Sequence, residues 1–186
     1  MPLNSSAEIS GEFARLKNVI PADESERSAL LRAFGMATNA VASNRALATA
    51  LTMDALIDVM LSASDSALRR RAGNRLRYLL HATGSEQEFK DKAIAAHGAA
   101  LSDPDSAMRK ETIQYFHALA FSECTPEQAG KAMASLAKTL ADEDPSIVAY
   151  GTDSLARWAI QKPAMREAVV EVFEIDEVEM LVLVEA

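Results

Sequence analysis

Three stretches of this chain repeat one arrangement of apolar and polar positions. Leu68, Ala72, Leu76, Leu79 and Leu80 align with Met108, Thr112, Phe116, Leu119 and Ala120, and again with Ile147, Gly151, Leu155, Trp158 and Ala159. Steps of 4, 4, 3 and 1 residues gather each set on one side of an α-helix, the stripe that an amphipathic helix buries. The second position is always small, which lets a partner helix approach where two axes cross. Each stripe follows an acidic turn: LSASDSALRR, LSDPDSAMRK and LADEDPSIVA, 39 to 40 residues apart.

A second apolar stripe precedes each turn. It runs through Leu47, Leu51, Leu56, Val59 and Met60, then Phe89, Ala93, Ala96, His97, Ala100 and Leu101, then Ala129, Met133, Leu136 and Leu140. Each unit therefore reads as a helical hairpin. Ser85 with Glu88, and Thr125 with Gln128, form capping boxes, and Pro126 stands at a first helical position where its missing N–H costs nothing. Gly84 suits the end of the helix before it. Asp65, Asp105 and Asp144 are placed to accept bonds from the free N–H groups of the second helices.

A less regular pair is expected first, with Ile9, Phe13, Leu16, Val19 and Ile20 on one helix and Leu30, Phe34 and Val41 on another opened by Asp23 and Glu26. Beyond Pro163, Met165, Val169, Val172 and Phe173 keep helical spacing. The Val-rich end, VVEVFEIDEVEMLVLV, partly alternates and fits a strand, but a terminal capping helix pair is the preferred reading. The expected organisation is one domain over 1–186, with an irregular hairpin in 1–45, three regular repeats in 46–160 and a cap in 161–186.

Composition agrees with an all-α fold. The chain of 186 residues is 49% hydrophobic but only 5% aromatic, poor in Gly and rich in helix formers. A period of 39 to 40 with two helices per unit resembles HEAT or armadillo repeats, and so implies an α-α superhelix of about four to five hairpins. In the HEAT pattern an Arg follows a turn Asp by six residues. Asp103 and Arg109 match it, whereas Arg69 follows Ala63, and Asp142 is followed by Val148.

The net charge of -8 is uneven. Lys and Arg against Asp and Glu number 5 and 7 over residues 1–60, 9 and 7 over 61–120, and 5 and 13 over 121–186. An acidic balance argues against general nucleic-acid binding, which relies on neutralising phosphates. The lone Cys124 excludes an internal disulfide, and MPLNSSAEIS lacks a basic start with an apolar run, so the expected location is the cytoplasm. No apolar run approaches a membrane span.

The resemblance to HEAT arrays implies that a partner lies along the second helices. The faces opposite the core stripes carry Arg70, Asn74, Arg77 and His81, then Lys110, Gln114, His117 and Phe121, then Ala149, Asp153, Ala156 and Ile160. The partner-binding candidates are Arg70, Asn74, Arg77, His81, Lys110, Gln114, His117 and Asp153. Their chemistry suits an acidic peptide or helix held by arginine. For each of these side chains the plain alternative is a solvated face, and for Phe121 and Ile160 it is burial under the next element. His97 lies on a core stripe, where a buried imidazole is expected.

Chemistry of other kinds finds little support. The run RRRAGNRLR spreads its arginines around one helix and has one aromatic neighbour, Tyr78. The three histidines lack ligand spacing, no His-Glu pair like that of HEAT-type hydroxylases occurs, and nucleotide-loop and hydrolase motifs are missing. No catalytic residue, cofactor or metal is expected. The first expectation is a non-enzymatic scaffold that binds another protein. One alternative is a nucleic-acid enzyme similar to HEAT-like alkylpurine DNA glycosylases, using Asp153, Arg157 and Trp158. Another is an inhibitor or immunity-type protein acting through the acidic residues Glu167, Glu171, Glu174, Asp176, Glu177 and Glu179.

Overall fold

In a computed structural model, residues 3–83 and 87–167 are described, with side chains described throughout except at positions 45 and 80–83. Eight α-helices and no strand occur among these residues: α1 (Ser6–Lys17), α2 (Glu24–Ser43), α3 (Ala50–Ser62), α4 (Ser66–Thr83), α5 (Gln87–Ala100), α6 (Ser106–Ala120), α7 (Pro126–Ala137) and α8 (Pro145–Gln161). Short 3₁₀ turns follow α2, α7 and α8. The described residues form an all-helical structure, as their stripes imply. Gly84, Ser85 and the C-terminal segment, with its choice between helix and strand, lie outside the described residues.

The starts of the even-numbered helices are set by one device. Asp23, Asp65, Asp105 and Asp144 accept bonds from the backbone N–H of Glu26, Leu68, Ala107 and Ser146 at 2.8 to 3.0 Å. Each carboxylate satisfies an N–H that the helix cannot, and its charge complements the positive end of the dipole. The capping boxes of Ser5 with Glu8 and Thr125 with Gln128 do the same for α1 and α7.

Contacts divide the chain into two compact units, Met1–Ala96 and His97–Ala186, the division falling within α5. In the first, α1 packs on α3, α2 on α4, and α3 on α4, so two hairpins lie side by side. Their core holds Ile9, Phe13, Leu30, Phe34, Leu56, Val59, Met60, Leu68 and Leu76, and the rings of Phe13 and Phe34 meet at 5.4 Å. Burying a side chain of this size contributes about 1.5–3 kcal/mol. Val19 and Phe89 are only half-buried, and two expected members of the stripes are exposed. Ile20 is 77% exposed because α1 has ended three residues earlier, and Leu51 is 53% exposed in the first turn of α3, which Thr49 caps.

In the second unit α6 packs on α8 and α7 on α8. Phe116, Leu155 and Trp158 are fully buried, and the Trp158 indole N–H donates to the Phe116 carbonyl at 3.1 Å. His97 is buried as expected, stacked on Tyr115 with centroids 3.6 Å apart. Burial pushes the Tyr115 phenol up, and the nearby Cys124 adds to the shift. The small second position of the stripe has its use at Gly151: a β-carbon there would stand 1.8 Å from Thr139 Oγ1 and 2.9 Å from Thr139 Cβ.

In α4 and α6 the arginine four residues after the cap closes the turn. Arg109 donates through Nη1 to the Asp103 carbonyl at 2.9 Å, and Arg69 repeats this contact with the Ala63 carbonyl at 2.8 Å. The carboxylate partner of Arg109 is Asp142, from the following turn, held by two bonds of 2.8 and 2.9 Å. Asp142 thus has its arginine in the preceding repeat, and what Arg109 takes from Asp103 is a backbone oxygen. Arg27 likewise bonds Asp65 at 2.9 Å. Burial alone would raise the Asp142 carboxyl, but Arg109 and the Asp144 N–H outweigh it and hold the group below the usual aspartate range.

Two predictions follow from these contacts. Gly151→Ala loses about 3 kcal/mol in urea unfolding, because the new methyl overlaps the buried Thr139 side chain, whereas Gly130→Ala, where nothing lies within 4 Å, gains about 0.5–1 kcal/mol from helix propensity. Arg109→Ala leaves the half-buried Asp142 carboxylate with the Asp144 N–H but without its cation, at a cost of about 3 kcal/mol near neutral pH. A carboxyl depressed in the folded state contributes stability above its unfolded pKa of about 3.9 and loses it as pH falls through the lower folded value. The gap between wild type and Arg109→Ala therefore narrows between about pH 4 and pH 2, and a gap constant across that range contradicts the assignment.

Candidate functional site

The second helices carry the candidate residues, α4 in the first unit and α6 and α8 in the second. In the second unit the packing of α6 on α8 brings outward side chains of both helices together. Lys110 Nζ lies 4.1 Å from the centre of the Tyr150 ring, a distance at which the cation is attracted by the ring face. Further along, His117 Nδ1 lies 3.8 Å from Asp153 Oδ2, and Arg157 Nε lies 3.7 Å from Asp153 Oδ1. These separations are too long for hydrogen bonds. Pairs so exposed are worth at most about 1 kcal/mol each, so their groups remain available to a partner.

The same face carries apolar area. Phe121, whose ring centre is 5.7 Å from that of His117, is 57% exposed, Tyr150 is 40% exposed and Ile160 is 36% exposed. Phe121 and Ile160 are therefore surface residues, not buried ones. Gln114 is exposed one turn from Lys110 on α6. The result is a strip of two aromatic rings, one aliphatic side chain, three cationic or titratable nitrogen groups and a single carboxylate.

In the first unit Arg70 and Arg77 are half-buried on α4, and Asn74 is exposed between them. The side chain of His81 lies outside the described residues. α2 packs on α4, and the Arg71 guanidinium passes Gly35 so closely that a β-carbon there would be 3.6 Å from Nη2. An open groove elsewhere in this unit is lined by Leu3, Glu12, Ala33, Met36, Asn39 and Ser43.

Two of these features escaped the sequence reading. The signal for Tyr150 is its place 40 residues after Lys110, one repeat length away. The Arg109–Asp142 pair was missed because the Asp–Arg spacing was sought inside one repeat and not between successive ones. The shallow groove beside that pair, lined by Ser102, Asp103, Pro104 and Glu143, offers no spare cation, since the Arg109 guanidinium is already occupied. No group of His, Cys, Asp and Glu among the described residues is arranged to hold a metal ion, and no helix among them is long and apolar enough to cross a membrane.

No protein-family model matches the chain, and no curated protein sequence does either. Among solved structures, it is similar to the crystal structure of an engineered protein determined by the Northeast Structural Genomics Consortium, with a TM-score of 0.51 and 18% identity over 92% of this chain and 76% of that one. At that identity the likeness concerns the helical fold alone.

Proposed function

We propose that this chain is a cytoplasmic, non-enzymatic protein-interaction module, built from hairpins of the HEAT or armadillo type, that holds a partner against the outward faces of its second helices. The observation that carries this reading is the α6–α8 strip, where Lys110 on Tyr150, Gln114, His117 beside Asp153, Phe121 and Ile160 lie on two helices packed together. Aromatic rings and long cations around exposed apolar area are what protein interfaces favour at their anchors. Because the strip stands on capped, packed helices, little backbone freedom is lost on binding. Cations outnumber carboxylates on it, so the partner chemistry it suits is an apolar anchor flanked by Asp or Glu.

The glycosylase alternative has less support. Trp158 is fully buried with its N–H on the Phe116 carbonyl, so it packs the core and does not present a face to a base. The immunity-type alternative rests on residues of which only Glu167 is described.

A displayed peptide library selected on the full chain tests the proposal. The expected ligands carry an apolar residue between acidic ones, and Lys110→Glu together with Phe121→Ala weakens them at least about tenfold, a change of about 1.4 kcal/mol, without altering the circular dichroism. Ligands that bind wild type and variant equally overturn the assignment of this face. Release of an alkylated purine from duplex DNA overturns the non-enzymatic reading.

A further inference from the structure

We infer that α4 presents a separate docking strip for an acidic α-helix, formed by Arg71, Arg75 and Tyr78 with Asn74 alongside. This rests on the reading of the chain as an interaction module and names a partner class for the first unit. The helix SALRRRAGNRLRYLLHAT holds five arginines and no carboxylate, on a chain whose net charge is -8. Arg69 is taken up by the Ala63 carbonyl. Four other long cations of this unit have carboxylates: Arg15 pairs with Glu12, Lys17 with Asp58, Arg27 with Glu24 and Asp65, and Lys92 with Asp54. Among the described residues Arg71 and Arg75 have no such partner, and Arg71, Asn74 and Tyr78 are exposed.

The geometry selects the kind of anion. Steps of four and three residues put Arg71, Arg75 and Tyr78 on one stripe. The two arginines are separated by a rise of about 6 Å, and the stripe is about 10 Å long. Carboxylates four residues apart on a partner helix have the same rise, so two charge-assisted forks form in register. Tyr78 is 52% exposed, with the Arg75 guanidinium 6.0 Å from its ring centre, and offers an apolar platform for a side chain one turn on. A nucleic-acid strand meets this length with only about two phosphates, too few for counterion release to give useful affinity. One exposed ring also provides little base stacking.

The test is fluorescence anisotropy on the full chain with a labelled helical peptide of about 18 residues bearing Glu at i and i+4 and Leu at i+7. Its controls are a scrambled peptide of the same composition and a labelled dT oligonucleotide. The helical peptide is expected to bind, to weaken at least about tenfold with Arg71→Gln plus Arg75→Gln and several-fold with Tyr78→Ala, to weaken with added salt, and to ignore Lys110→Glu. No binding by the wild type, equal affinity for the double variant or the scrambled peptide, or tighter binding of the oligonucleotide overturns the inference. If the library still yields ligands for the α6–α8 face, that failure belongs to the α4 strip alone.

Discussion

Each second helix starts where an aspartate says it does. Asp23, Asp65, Asp105 and Asp144 accept first-turn N–H bonds at nearly one length, and this fixes the phase of about four turns of helix that follow. Once the phase is fixed in α4, α6 and α8, the residue three positions after the cap enters the core and the residue five positions after it faces outward. Leu68, Met108 and Ile147 are buried for that reason, and Lys110 and Ala149 are not. Slipping the start by one residue would rotate every later side chain by about 100°, so the buried stripe and the outward face are two results of one hydrogen bond.

The arginine four residues after the cap ties the turns together. Arg109 bridges the backbone of its own turn and the carboxylate of the next, with little exposure of either side chain. A bidentate pair of this kind is weak evidence for net stability, since desolvation offsets much of the attraction. Its value lies in geometry: two turns are held in one register because leaving either charge alone is costly. The exposed pairs of the surface, such as Lys131 with Glu127, have no comparable leverage.

Much of this was legible in the sequence, and the reasons for the remainder are local. The stripes through Leu76, Phe116 and Leu155 were readable because four-and-three spacing over four turns admits one burial pattern. Ile20 and Leu51 were misassigned because spacing continues on paper after a helix has ended or before it has begun, whereas burial follows the cap. Thr49 and the end of α1 at Lys17 decide those two positions. Of the candidate residues, Asn74, Gln114 and Asp153 are exposed and Arg70, Arg77, Lys110 and His117 are half-buried, but pairings between neighbouring helices were not legible. Tyr150 under Lys110 and Asp142 under Arg109 depend on how one hairpin settles against the next, which periodicity along a single helix does not encode.

Capping by the aspartate does not specify which side chain stands on the outward face. The position five residues after the cap is Arg70 in α4, Lys110 in α6 and Ala149 in α8, three unlike side chains on one framework. Outward side chains in such a chain can be exchanged one helix at a time, like changing the letters on a fixed line of type.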